Sequence, residues 1–263
     1  MVLAPRYIVK KIEPFIVVLS LLIIWEMVSA LNLVNPLILP EPSKILKSLY
    51  NMLFTPVGGA TLIVHVWASL EKFFIGFLVA AFLGSFLGIW MGWSQRVNSV
   101  FAPFFEIIRF IPPVAWISFA ILWFGMGLAA QSYIIGIGAF IRALENSRQT
   151  IKLIDPIYIQ VARVFGASDR TIFWKVVLPA GLPLLIAGVR IGMGIGWMCL
   201  VAAEMISRPT LLGGEGLGYL IETSRMTLRS DYIIGGMLLI GVIGYCLDVA
   251  IRCLEKVLCP WRR

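Results

Sequence analysis

Long uncharged apolar blocks, separated by short charged clusters, set the pattern of this chain. Residues 15–25 carry no charge, Glu26 interrupts, and residues 27–40 are again uncharged. A helix needs about 20 mostly apolar residues to cross a bilayer, so a first span over residues 15–34 fits. Residues 73–95 form a second uncharged run. Residues 110–141 are uncharged too, but cannot hold two full spans. One span must therefore begin upstream, near Asn98, enclose Glu106 and Arg109, and end near Phe124. Pro112-Pro113 predicts a break or kink within it. Three further spans are predicted over residues 130–146, 182–206 (with Arg190 and Glu204 inside) and 232–252 (with Asp248 inside). The expectation is a single all-α, polytopic membrane domain over residues 1–263 with six transmembrane helices.

Composition agrees. The chain is 60% hydrophobic and 14% charged, with a mean hydropathy of +0.93. Soluble domains average about 45–50% apolar and about 25% charged residues. A soluble enzyme, a disordered chain and a collagen-like fibre are excluded. The basic start, with Arg6, Lys10 and Lys11 ahead of an apolar run, also resembles a signal peptide, and Val28-Ser29-Ala30 could pass as a cleavage site. The charge pattern works with the segment retained.

The net charge of +8 follows from membrane topology. With a cytoplasmic N-terminus, the inside segments hold Arg6, Lys10, Lys11, Arg96, Arg142, Arg148, Lys152, Arg163, Arg170, Lys175, Arg252, Lys256, Arg262 and Arg263. The outside segments hold only Lys44, Lys47, Arg208, Arg225 and Arg229. Cytoplasmic loops carry the excess of Lys and Arg, so both termini are expected inside, in a bacterial or archaeal cytoplasmic membrane. No basic stripe interleaved with aromatics stands outside the spans, so no nucleic-acid partner is expected. Cys199, Cys246, Cys253 and Cys259 form no C-x-x-C pair, and His65 is the single histidine. No metal site is expected.

Small residues recur at helical spacing. Gly84, Gly88 and Gly92 lie in the second span, and Gly188, Gly192 and Gly196 in the fifth. Each ladder gives one helix face a smooth strip, for ordinary helix packing or for a sliding surface of a gate.

The longest cytoplasmic connection, residues 147–181, is strongly patterned. Asp155 suits an N-cap and Pro156 the first helical position. A short helix then runs to Phe165, and Gly166 suits the left-handed position that ends it. Ser168 is a second N-cap, followed by a helix from Asp169 to Leu178, ended by Pro179. Two rods too short to cross a bilayer result. Such a pair can lie on lipid, pack on the spans, or dock in another protein's groove. Ala162 beside Gly166 permits close approach by a partner, and Arg163 and Arg170 offer charge.

This segment resembles a known signature. Gln160-Val161-Ala162-x3-Gly166-x9-Val176-x-Leu178-Pro179 is similar to the E-A-A-x3-G-x9-I-x-L-P motif of permease subunits of ATP-binding-cassette importers, departing from it at Gln160 and Val161. Pro112-Pro113-Val114-Ala115-Trp116, Leu122-Trp123-Phe124-Gly125, Gly188-Val189-Arg190-Ile191-Gly192, Gly196-Trp197, Val201-Ala202-Ala203-Glu204, Gly216-Leu217-Gly218 and Pro260-Trp261 are similar to the taurine, alkanesulfonate and nitrate group of that family. The resemblance implies a type I (MetI-like) permease fold. It also implies two ATPase subunits gripping a coupling loop at Gln160, Val161, Ala162, Arg163, Gly166, Ala167 and Ser168, a second permease copy, and an extracytoplasmic solute-binding protein. ATP and Mg would be bound by the ATPase partner; no cofactor is expected in this chain. Neighbouring branches move nitrate, bicarbonate or thiamine precursors.

The chain has no G-x4-G-K-[ST] phosphate loop, and the dipeptide Gly-Lys is absent. Gly213–Gly218 is glycine-rich but follows no strand; it reads as a flexible or re-entrant element near the outer mouth. An intramembrane enzyme would need a Ser/His, metal or paired-carboxylate constellation, and a single histidine, placed outside at position 65, makes that a poor reading, so no catalytic residue is expected. The candidates for a translocation path are the intramembrane charges, which need partners, water or a function, together with Trp197. Glu106 and Arg109, three residues apart, are expected to pair locally. Arg190 either snorkels inward or attracts an anion. Glu204 either bonds to the adjoining loop or meets the ammonium of a zwitterion such as taurine. Asp248 is expected to pair with Arg252. Phe140 and Met193 either line a path or pack. An ion-coupled secondary transporter is the rival reading; it calls for broken spans at matching places in two halves, and Pro112-Pro113 has no clear mate.

Overall fold

The computed structural model describes residues 4–206 and 216–262. Among them the regular structure is helical throughout. Eleven α-helices follow one another: α1 (Ala4–Ala30), α2 (Pro42–Phe54), α3 (Leu62–Trp93), α4 (Gln95–Ile108), α5 (Ile117–Phe124), α6 (Leu128–Lys152), α7 (Pro156–Val164), α8 (Asp169–Ile172), α9 (Leu178–Met205), α10 (Leu217–Met226) and α11 (Ser230–Leu258). A 3₁₀ turn, Pro113–Trp116, leads into α5.

The centre is α6, held between α3 and α9. Glycines explain how closely. A Cβ on Gly76 would meet the Ser132 carbonyl at 2.5 Å, on Gly84 the Phe140 carbonyl at 2.6 Å, and on Gly92 the Arg148 carbonyl at 2.9 Å. Gly88 lies against the Leu144 carbonyl in the same way. The offset between the helices is constant, so α3 and α6 run parallel, backbone on backbone. On the other side Gly188 faces Asn146, Gly192 the Ala139 carbonyl and Gly196 Ala139 and Ile135, the falling order of an antiparallel pair. Both predicted ladders are therefore packing strips.

A core of Phe73, Phe77, Ile135, Met193, Trp197 and Leu200 fills the junction of α3, α6 and α9. Phe140 and Met193 belong to this packing. Among the described residues, three helical rods are long and apolar enough to cross a membrane: Leu62–Trp93, Asp169–Met205 and Ser230–Leu258. A fourth candidate is the pair Gln95–Ile108 and Pro113–Phe124, bent by 88°. The break falls at Pro112-Pro113, as the sequence predicts. It is sharper than a kink, because two successive prolines remove two backbone donors and leave the intervening backbone extended, with Pro112 at ψ 135°.

The structure corrects one expectation of chain path. Pro179 does not end the second rod. Asp169–Met205 is continuous, with a π-helical turn at Phe173–Val177 ahead of Pro179. A wide i→i+5 turn at this place lets the helix continue past a residue without an N–H.

Candidate functional site

The hairpin between α6 and α9 is built by local chemistry. Asp155 caps α7, its Oδ1 accepting from the Ile157 amide at 2.9 Å, with Pro156 at the first helical position. Gly166 has φ +76°, and the Gly166 and Ala167 amides return to the Arg163 and Ala162 carbonyls. Ser168 caps α8 through the Thr171 amide at 3.3 Å.

The base of the hairpin is apolar. Ile151, Ile172 and Val177 are buried, with Trp93, Ile154, Ile159, Ala162 and Ala167 packed around them. The Trp93 and Phe173 rings meet with centroids 5.4 Å apart, tilted by 57°. This cluster ties the hairpin to the last turns of α3 and α6. The tip is the opposite. Val164 and Phe165 are each 85% exposed, and Val161 is half exposed. Gln160, Gly166 and Ser168 are exposed, whereas Ala162 and Ala167 are half-buried on the base. Arg163 bonds to Asp169 at 3.1 Å across the turn, so its charge is partly neutralised within the hairpin. Sequence reasoning missed Val164 and Phe165. The available signal was an apolar pair immediately ahead of the left-handed glycine.

The charges expected within the spans find partners, several of them unexpected. Glu106 and Arg109 do not pair with each other. Glu106 meets Arg148 at 3.5 Å and Arg109 meets Glu145 at 3.9 Å, both across to α6. The long side chains of Arg148 and Arg109 bridge the two helices, and each finds its carboxylate across the gap. Arg190 faces Asp248 of α11 at 3.5 Å, and Asp248 also pairs with Arg252. Trp197 is buried; its Nε1 donates to the Ile240 carbonyl at 3.1 Å and its ring meets Phe73 edge-on.

Glu204 is fully buried and saturated. It accepts from Ser69 Oγ at 2.8 and 2.9 Å, from Lys72 Nζ at 3.2 Å and from the Gly218 amide at 2.9 Å. Ser69 in turn accepts from the Leu217 amide. A Cβ on Gly216, at φ +105°, would overlap the Glu204 carboxylate. In this arrangement Glu204 pins the start of α10 to α3 and presents no oxygen to a passing ammonium. Residues 213–215 of the glycine-rich stretch lie outside the described residues; Gly216–Gly218 opens α10.

Residues 80–263 match the family of binding-protein-dependent transport system inner membrane components. The chain belongs to this family of ABC importer permeases. The permease is 38% identical over 241 residues to an ABC transporter permease protein of Methanocaldococcus jannaschii, covering 92% of this chain and 88% of that one. It is 33% identical to the taurine transport system permease of Escherichia coli (92% and 86% covered) and 31% identical to the nitrate import permease of Synechocystis (97% and 91%). Its fold resembles that of the MetNI methionine ABC transporter in inward-facing conformations, with a TM-score of 0.63 at 19% identity over 75% of this chain and 95% of that one.

The permease is thus a multi-pass inner-membrane transport subunit and not an enzyme. Permeases of this family work with an ATP-hydrolysing subunit and a solute-binding protein. The permease itself carries no G-x4-G-K-[ST] phosphate loop.

Proposed function

We propose that this permease carries a small anionic or zwitterionic solute, such as taurine or an alkanesulfonate, and is driven through the hairpin at residues 156–179. The observation that carries this reading is the hairpin's division into a packed base and a bare apolar tip, Val164-Phe165. An apolar pair held out on a capped helix is suited to a groove in another protein. Gln160, Val161, Arg163, Gly166 and Ser168 form the surrounding contact surface, and Ala162 and Ala167 fix the hairpin on its base. The taurine and nitrate relatives support a solute with a compact charged head.

Two copies of the permease enclose one path, with two ATPases gripping two hairpins. The chain crosses six times, with α1 and α6 added to the four candidate crossings, and both termini face the cytoplasm. The lysine and arginine bias supports this orientation. A solute-binding protein delivers cargo at the outer face, where the Glu204 cluster steadies α10. ATP-driven closure of the ATPases moves the hairpins, and the helices rock between outward and inward access. Glu106, Arg109, Arg190, Trp197 and Glu204 act in this motion as packing and ion-pair anchors. A path-lining role for them requires that these pairs open during transport.

Pull-down of the detergent-solubilised permease with its cognate ATPase tests the reading. Retention by wild type and loss in Phe165→Ser with an unchanged unfolding temperature is the expected result. Retention by both would remove the hairpin from the interface.

A further inference from the structure

Arg148 occupies an unusual position for a residue in a packed helix. It is 9% exposed, yet its guanidinium reaches Glu145 at 2.9 Å, Glu106 at 3.5 Å and Asn98 at 3.3 Å. Asn98 and Glu106 stand two turns apart on α4, so one side chain grips most of that helix's length. One turn further along α6, Lys152 donates to the same Asn98 oxygen at 3.2 Å. Arg109, just past the end of α4, returns to Glu145. Beneath this polar seam lies an apolar one, with Ala102 and Phe105 of α4 against Leu144, Met91 and Phe140.

Both ends of this assembly lead somewhere. Beyond Lys152, three residues connect α6 to α7, and Ile151 is part of the hairpin's own base cluster. The hairpin cannot shift without the last turns of α6. At its other end α4 runs into the 88° break at Pro112-Pro113. There a cavity of about 510 Å³ opens between α3, α6 and the break, bounded by Phe105 and Ile108 of α4 and by Trp116 of the turn beyond the break. Any swing of α4 reshapes that cavity.

We infer that Arg148 is the positioning residue that transmits hairpin movement to α4, and through α4 to the cavity at the broken span. The inference rests on the coupling role proposed for the hairpin. A guanidinium suits the task because its planar fork can hold Glu145, Glu106 and Asn98 at once, where an ammonium is a point charge on a flexible stem. Two cross-helix ion pairs and two bonds to Asn98 make α4 follow α6 as one body. Without them the apolar seam alone joins the two helices, and such a seam permits sliding.

The test uses the intact complex of permease and cognate ATPase in lipid nanodiscs. Exposed Cys246 and Cys253 are replaced by Ser, and a fluorophore is attached at Val100→Cys on the outer face of α4. Wild type is first shown to retain its ATPase and to answer ATP with a fluorescence change; failure there would sink the hairpin reading and not this one. Arg148→Gln and Glu106→Gln are expected to keep ATP turnover within about twofold while the fluorescence response falls by about fivefold or more, the low end of typical inter-site coupling. Arg148→Lys restores part of it. The double variant is no worse than Arg148→Gln alone, since residues acting through each other are not additive. Should Arg148→Gln fail to fold, Asn98→Ala removes the shared acceptor and carries the same expectation. An undiminished response, parallel loss of response and hydrolysis, or additive effects would each overturn the inference.

Discussion

Lys72 of α3 and Glu204 of α9 face each other at 3.2 Å, and the carboxylate is fully buried. Removing one member of a buried pair leaves the other charge uncompensated, at a cost of about 3–5 kcal/mol. Lys72→Met is therefore expected to lower the unfolding temperature in detergent sharply. Ser69→Ala removes one neutral donor and is expected to cost about 1–3 kcal/mol. Equal losses in the two variants would show that the charge pairing matters no more than a single hydroxyl.

The same cluster bears on substrate choice. Because Glu204 is occupied by Ser69, Lys72 and the Gly218 amide, Glu204→Gln is expected to reduce uptake of taurine and of a sulfonate without an amine by the same factor. The measurement is radiolabelled uptake of both into proteoliposomes with the full complex. A loss confined to taurine would place an ammonium at this carboxylate during transport.

Glycines on α3 and α9 differ in what surrounds them. A Cβ on Gly88 overlaps the Leu144 carbonyl, whereas one on Gly194 meets nothing within 4 Å. Gly88→Ala forces the α3 and α6 backbones apart and is expected to destabilise by about 1–3 kcal/mol, the usual cost of overpacking. Gly194→Ala is expected to be neutral or slightly stabilising, since Ala exceeds Gly in helix propensity by about 1 kcal/mol. Thermal unfolding of the two variants side by side decides it.

Gly166 sits at φ +76° with open space around it. The penalty for a side chain is conformational, about 1–2 kcal/mol, and not steric. Gly166→Ala is expected to increase hydrogen exchange at the Ala167 amide, which returns to Ala162, and to weaken ATPase retention by about tenfold, as 1.4 kcal/mol would. Asn tolerates this conformation better, so Gly166→Asn is expected to fall between the two. Indistinguishable exchange in Ala and Asn variants would contradict this account of the turn.

Much of the hairpin was legible because its determinants are local. Asp155, Pro156, Gly166 and Ser168 act within a few residues, and any chain carrying them in that order is directed to the same turn. The path through Pro179 was not legible: a π-helical turn five residues long absorbs the missing N–H, and nothing in composition announces it. The pairing of charges was hidden for another reason. Glu106 and Arg109 have the spacing of a local pair, but α6 brings Arg148 and Glu145 to them, and inter-helix register cannot be read from one helix. Glu204 was likewise marked by its charge, while Ser69, 135 residues away, carried no signal of its own. The glycine ladders were plain in the sequence; that both strips close on α6 needed the structure.

Photo-crosslinking from position 165 tests the central claim most directly. A photoreactive amino acid replaces Phe165 in membranes containing the whole transporter, and the captured species is identified by mass spectrometry. The account predicts a covalent adduct with the cognate ATPase, whose yield changes when ATP is added. Adducts with lipid alone, with the ATPase present and uncaptured, would contradict it.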